Sequence, residues 1–251
     1  MKLSVGMLYY LIKLFGLKHG VTLFVNFKLN RLDHIKLPHL KLAFALRKGT
    51  SDVPLFDQIF VHPEYSMTFT STPGIIIDGG ANIGLFTLQM KNKFPDAKII
   101  SVEPDKGNFE MLQKNVAGYD DIFCENRGLW NKETGLKIYD KYEAGNWGLI
   151  VEECNNGEEN VKALSISSIM DKYAIERIDL LKLDIETSEK KVFMDNYESW
   201  LPKTKMLIVE LHDWMEEGCS KPFFDAITKT FTNYKYLITG QNTIIINNDI
   251  D

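Results

Sequence analysis

The sequence predicts a doubly wound α/β fold, a mostly parallel sheet with helices on both faces and an antiparallel hairpin at its end. Three observations carry that prediction. From Pro73-Gly74 onward, short apolar runs alternate with amphipathic stretches, and continuous apolar strands between helices are the mark of a parallel sheet covered on both sides. A glycine-rich turn, DGGANIG at 78–84, stands directly after the first of these runs and before a helical pattern. The chain ends on two apolar runs joined by a tight turn at Gly240-Gln241, a connection that only antiparallel neighbours can make.

Taken in order, residues 3–12, LSVGMLYYLI, form a short apolar run behind Lys2. Lys13 interrupts the run and no small-residue cleavage site follows it, so export is not expected. The run also falls well short of the roughly 18 apolar residues of a spanning helix. Leu3, Met7, Tyr10, Leu11, Leu14 and Leu17 recur at helical spacing, which predicts an accessory helix packed on the body or on a second copy in a homodimer. An interfacial membrane helix rimmed by Lys2, Lys13 and Lys18 is the rival; a soluble, cytoplasmic protein is preferred.

Residues 35–46, IKLPHLKLAFAL, read as two short strands around Pro38, and 47–65 mixes turn signals with a short helical pattern. Strands then follow at 74–78, 97–103, 121–126, 178–184 and 205–212, with helices at 83–93, 106–117 and 187–198. The stretch 127–165 is longer than a crossover requires and carries Gly135, Gly145, Gly148 and Gly157, which predicts small extra strands or a lid. The hairpin strands are 234–240 and 242–247. Residues 1–72 thus form an accessory segment and 73–251 the main domain.

Of 251 residues, 45% are hydrophobic and 25% charged, an ordinary globular balance that excludes disorder and a disulfide-stapled miniature. Lys+Arg 29 against Asp+Glu 34 leaves a net charge of -5, so no basic field points toward nucleic acid. Cys124, Cys154 and Cys219 are scattered with no C-x-x-C pair, and the histidines show no H-E-x-x-H spacing. Neither a disulfide framework nor a zinc site is expected, and the thiols fit a reducing compartment.

DGGANIG has the strand-turn-helix context that a nucleoside-binding loop needs, because glycines let the backbone turn sharply and approach a ligand closely. As G-x-A-x-x-G it uses Gly79, Ala81 and Gly84, an imperfect dinucleotide fingerprint. As D-x-G-x-G-x-G it uses Asp78, Gly80 and Gly84, with Asn82 in the middle glycine's place; Asn is a mild replacement in a left-handed conformation. Glu103, followed by Pro104, ends the next strand, where a carboxylate can accept from both ribose hydroxyls. Asp78 has two open roles, ligand anchor or tie for the turn. Asn126, just past the third strand, stands where it could meet a base edge.

These pieces resemble the FkbM family of methyltransferases, which shows VIDVGANIG-like turns, an E-P pair on the second strand and a DLLKLDIEGSE-like fourth strand. The corresponding residues here are IIIDGGANIG, SVEP and DLLKLDIETSE, with VELHD at the fifth strand and LRKGTSDVPLFDQIFVHPEY upstream. The resemblance covers about 42–247. It implies a class I, Rossmann-like methyltransferase fold with a seven-stranded, mostly parallel sheet, S-adenosylmethionine as cofactor, and O-methylation of a small molecule or glycan. Ser51, Asp52 and Tyr65, by the same resemblance, close over the cofactor. Two departures stand out: Thr187 replaces the family's DIEG glycine, and Gly79 replaces an aliphatic residue.

In such sheets ligands bind outside the carboxyl ends of the strands, where strand order reverses. Asp78 and the glycine turn form one wall there; Asp184 and Glu186 form the facing one, and His212 and Asp213 follow the next strand. Methyl transfer asks the protein to position an acceptor hydroxyl and manage its proton. His212 is the natural base near neutral pH, Glu186 serves if burial raises its pKa, and Asp184, His212 and Asp213 could instead hold a divalent cation. Asp184 as a helix cap and His212 as a structural histidine are the plain alternatives. Trp147 and Trp214 are candidates to cover the adenine or an acceptor sugar, or else ordinary packing. A nicotinamide-dependent oxidoreductase and a non-catalytic cofactor-binding module remain the competing functions.

Overall fold

The computed structural model describes residues 4–62, 69, 71–140, 149–154 and 157–250. It opens with helix α1 (Val5–Lys28) and the short helix α2 (Asp52–Phe56), which runs on into a π-helical turn, Asp57–Val61. The alternating part follows: β1 (Ile75–Gly79), α3 (Leu85–Lys93), β2 (Lys98–Val102), α4 (Lys106–Val116) and β3 (Ile122–Glu125). Next come β4 (Gly128–Leu129), β5 (Gly135–Asp140), β6 (Leu149–Glu153), β7 (Val161–Leu164) and α5 (Ile166–Tyr173). The chain closes with β8 (Leu180–Leu183), α6 (Glu189–Val192), β9 (Met206–Glu210), α7 (Ser220–Thr230), β10 (Tyr234–Thr239) and β11 (Asn242–Asn247).

Seven of these strands form one sheet in the order β10-β11-β9-β8-β1-β2-β3. β1 pairs in parallel with both β2 and β8, so the strand order reverses at β1, and β11 runs antiparallel to both β9 and β10. The expected mostly parallel sheet with a terminal antiparallel hairpin is present. Its side chains alternate between two apolar layers. Ile76, Ile99, Leu180, Ile208 and Ile244 face one layer, and Ile77, Ile100, Leu181, Leu207 and Ile245 face the other. The extra strands expected within 127–165 form a second, four-stranded sheet, β4-β7-β5-β6; Gly145 and Gly148 lie outside the described residues.

Three expectations need correction. Residues 35–46 make a single antiparallel bridge, Ile35 to Phe44, in place of two strands. Between them Lys36 Nζ donates to the carbonyls of Leu40 and Lys41 at 2.8 and 2.7 Å, so the segment closes as a loop. The helix expected over 187–198 shrinks to the four residues of α6 and a 3₁₀ turn, Tyr197–Ser199. Left-handed conformations at Thr187 (φ 79) and Asn196 (φ 63) bound it.

The third correction concerns α1. The helix runs for 24 residues and is long and apolar enough to cross a membrane by length and composition, whereas the sequence shows an apolar run that Lys13 interrupts and a helical stripe ending at Leu17. Yet Gly16 is non-helical (φ 78, ψ 164) and breaks it into two arms. A Cβ on Gly20 would lie 2.5 Å from the backbone N of Ile12; on a straight helix residues eight apart are separated by about 12 Å. The arms are therefore folded against one another. Leu11, Phe15, Leu23 and Phe27 point inward, and Leu14 and Leu17 of the expected stripe point out. The inward residues join the layer that holds Ile76 and Ile99, so residues before 72 share a core with the sheet.

Candidate active site

The turn after β1 is built from the backbone up. Gly80 N and Ala81 N both donate to Val102 O at 3.0 Å, tying the turn to the end of β2. Gly80 sits at φ 73, and a Cβ there would lie 1.8 Å from Asp184 O. Only glycine lets β1 and β8 approach this closely. Asn82 takes the left-handed conformation (φ 48) that its place in the motif requires. Gly84 caps α3 from the same region.

Glu103 closes the wall. Its Oε2 accepts from Asn82 N at 2.8 Å, and its Oε1 accepts from Asp105 N at 2.9 Å and Asn108 Nδ2 at 3.5 Å. Burial pushes its carboxyl up to about 7, against the pull of those donors. Asn108 is held in turn by Arg47 Nη2 at 2.7 Å, and Arg47 is clamped by Asp52 Oδ1 at 2.8 Å. Asp52 thus anchors the upstream segment beside Glu103, while Leu55, Gln58 and Ile59 are the residues of that segment that reach the cavity. Ser51 is buried away from the cavity lining, and Tyr65 and Trp147 lie outside the described residues.

The cavity has a volume of ≈ 360 Å³ and brings together Gly80, Ala81, Asn82, Glu103, Pro104, Asp184, Glu186 and His212. Trp214 stands at its edge, 75% exposed. Four of the residues expected to bind the cofactor lie elsewhere. Asp78 is fully buried beneath the turn, where it accepts from Thr87 Oγ1 at 2.6 Å. Gly79 packs against Leu129 and Leu183, and Gly84 against Leu112. Asn126 turns its amide away, donating to the carbonyls of Glu103 and Pro104 at 2.9 and 3.0 Å. It braces the loop after β2, and its neighbour Arg127 lines the cavity.

Lys182 escaped the sequence reading. It is 3% exposed on β8, lies 3.5 Å from Asp78 and 3.7 Å from Asp184, and donates to Gly79 O and Gly80 O at 3.2 and 2.9 Å. This ammonium pins the turn from below and balances two carboxylates. A charged residue in the middle of an apolar strand is the signal that could have found it, since a buried lysine needs partners.

Opposite Glu103 stands an imidazole among carboxylates. His212, 1% exposed, presents Nε2 to Glu186 at 3.4 Å, Asp184 at 3.7 Å and Glu210 at 3.8 Å, and Nδ1 to Glu189 at 3.3 Å. Burial works to lower its pKa, but Glu189, Glu186 and Asp184 outweigh that and push it up to about 10. The surrounding carboxylates thus favour the protonated imidazole, which works against the free base expected of His212. Burial first, then the neighbouring Asp184, Glu189 and Glu210, push Glu186 up to about 8 against the opposing His212 charge.

Asp184, Glu210 and His212 bring one donor atom each to within 4.8 Å of one another. Asp213, expected in that set, instead accepts from Ser220 N and Oγ at 2.9 and 3.1 Å at the start of α7; Glu210 takes its place. Asp184 faces Lys182 and His212, and Glu189 supplies the acceptor for Ile185 N at 2.7 Å.

With this geometry described, the comparisons with known proteins point one way. Residues 78–238 match the model of the methyltransferase FkbM domain. The chain is 29% identical over 209 residues to methyltransferase sdnD of Sordaria araneosa, covering 69% of this chain and 78% of that protein. It is 23% identical over 173 residues to the 31-O-demethyl-FK506 methyltransferase FkbM of Streptomyces tacrolimicus, covering 56% and 66%. Among solved structures, the methyltransferase FkbM of Methylobacillus flagellatus shares the fold at a TM-score of 0.50 and 15% identity, covering 72% of this chain and 45% of that one. A family model that takes in the end of β1, the glycine turn, Glu103, β8 and the His212 cluster leaves one conclusion: the chain belongs to the FkbM family of S-adenosylmethionine-dependent methyltransferases.

Proposed function

We propose that this methyltransferase acts on a hydroxyl of a small molecule or glycan, with Glu186 as the group that takes the acceptor proton. One observation carries the reading: the Gly80–Glu103 wall and the carboxylates of Asp184, Glu186 and Glu210 around His212 line the same cavity. The residues fit the cofactor. Glu103 is a buried carboxylate facing the cavity, suited to accept from two ribose hydroxyls, and Gly80, Ala81 and Asn82 of the glycine turn line the same cavity beside it.

When bound, S-adenosylmethionine supplies an electrophilic methyl group on a leaving sulfur that needs no proton. The chain keeps two tasks, to orient the acceptor oxygen and to receive its proton. Glu186 lies nearest to His212 Nε2 among the three carboxylates around that atom, and His212 holds them together as their common cationic partner. Asp184 and Glu210 are left to accept from the acceptor's neighbouring hydroxyls, which favours polyhydroxylated substrates. Free Cys124, Cys154 and Cys219 fit a reducing, cytoplasmic setting.

The test is mass-spectrometric detection of methyl transfer from S-adenosylmethionine to a panel of monosaccharides, glycosides and simple alcohols. Methyl ethers that vanish in Glu186→Gln, with nucleoside affinity retained, are the expected result. Nucleoside binding without transfer to any acceptor would favour a non-catalytic module, and binding of NAD in its place would favour the oxidoreductase.

A divalent cation is the second reading. The 3.7 and 3.8 Å separations of His212 Nε2 from Asp184 and Glu210 exceed hydrogen-bond length. Asp184, Glu210 and His212 would hold such an ion, which would acidify the acceptor hydroxyl. Transfer abolished by a chelator and restored by magnesium or manganese would favour it over proton transfer to Glu186 alone.

A further inference from the structure

The outward side of α1 carries apolar residues that no part of the described fold covers. Val5 is 84% exposed, Tyr9 71%, Leu17 70%, and Leu29, just past the helix, 52%. Val21 and Val25 are each 39% exposed and fill the line from Leu17 to Leu29. Residues four apart lie on one side of a helix, so this is a continuous strip. Its opposite side, Leu23 and Phe27, is already spent on the core.

The charge around the strip is one-sided. Lys2, Lys13, Lys18, Lys28 and Arg31 all precede Asp33, the first acidic residue, in a chain whose net charge is -5. Lys13, Lys18, Lys28 and Arg31 are exposed. An apolar strip bordered by cations complements a surface with anions outside and hydrocarbon directly beneath. A second copy meeting this face by two-fold symmetry would set cations against cations, which argues against a homodimer here. Spanning is excluded by the break at Gly16: neither arm exceeds about 18 Å at 1.5 Å per residue, against a hydrocarbon core of about 30 Å.

We propose that α1 is an interfacial anchor, its Leu17–Leu29 strip lying in the headgroup region of an anionic lipid bilayer so that the enzyme rests on the membrane without crossing it. The inference stands on α1 alone and is independent of the acceptor.

Co-sedimentation of the full chain with vesicles tests it, comparing phosphatidylcholine alone with a phosphatidylcholine–phosphatidylglycerol mixture. Expected are binding to the anionic vesicles only, release by high salt, and at least a tenfold loss of binding in Leu17→Glu/Val25→Glu and in Lys13→Glu/Lys18→Glu. Both pairs are exposed, and unchanged melting temperature and nucleoside affinity would show that the fold is intact. Three results would overturn the proposal: no binding at low salt, equal binding to neutral and anionic vesicles, or insertion that survives high salt and alkaline extraction. A dimer by light scattering that Leu17→Glu/Val25→Glu dissolves would overturn it too, assigning the strip to a second copy.

Discussion

Glu103 is held by three donors and faces a cavity, and burial nonetheless lifts its carboxyl from 4.5 to about 7. Between those values the folded chain keeps a proton that the unfolded chain has released, so this group's contribution to stability falls as pH rises through that window. Melting temperature of the ligand-free protein should decline from pH 5 to pH 8, and Glu103→Gln should flatten that slope. The same substitution should weaken S-adenosylhomocysteine binding by 10- to 100-fold, about 1.5–3 kcal/mol for a charged acceptor lost, measured by calorimetry. Wild-type affinity should rise with pH over the same range, because the ionised carboxylate is the better acceptor. Thr187 is the other informative residue. It holds φ 79 where the family motif carries glycine, and left-handed backbone costs an L residue about 1–2 kcal/mol. After allowance for glycine's extra freedom in the unfolded chain, Thr187→Gly should stabilise by about 1 kcal/mol in urea unfolding. A decrease would show that the Thr187 side chain contributes more than its backbone loses.

The strands divide by what they carry. β1, β2 and β9 were legible because an unbroken apolar run between helices has one economical home, the interior of a parallel sheet. β8 reads the same way, yet Lys182 in its middle joins Asp78 to Asp184. Removing one member of a buried charge group leaves the others uncompensated, at roughly 3–5 kcal/mol. Lys182→Met should therefore lower urea stability by that order and loosen the Gly80 turn, with part of the loss recovered by adding Asp78→Asn. A change below about 1 kcal/mol would mean that the turn does not depend on this ammonium. The helices were less legible. α6 shrank because left-handed residues bound it, and such conformations leave no trace in hydrophobic periodicity. α1 broke at Gly16 for the same reason, and its outward strip then reads as surface.

For the molecule as a whole, the segment before the sheet is not a separate layer. Leu11, Phe27, Ile35, Phe44 and Phe56 belong to the same apolar cluster as Ile76, Ile99 and Ile244. Urea unfolding followed by tryptophan fluorescence and by far-ultraviolet circular dichroism should accordingly give one coincident transition; two resolved transitions would show that the first 72 residues fold on their own. What the sequence by itself determined is the sheet, its terminal hairpin, the glycine turn and the family. Each is written in spacing between near neighbours: apolar periodicity, a motif between strand and helix, a turn between two strands. The tertiary structure alone decided which polar residues meet. Asn126 and Asp213 were themselves expected in the site, yet their side chains bond to other groups. Asp184, Glu186, Glu189 and Glu210 come from two segments and converge on one imidazole. The protonation of His212 is a sum of charges over distances in space, and sequence separation does not encode those distances.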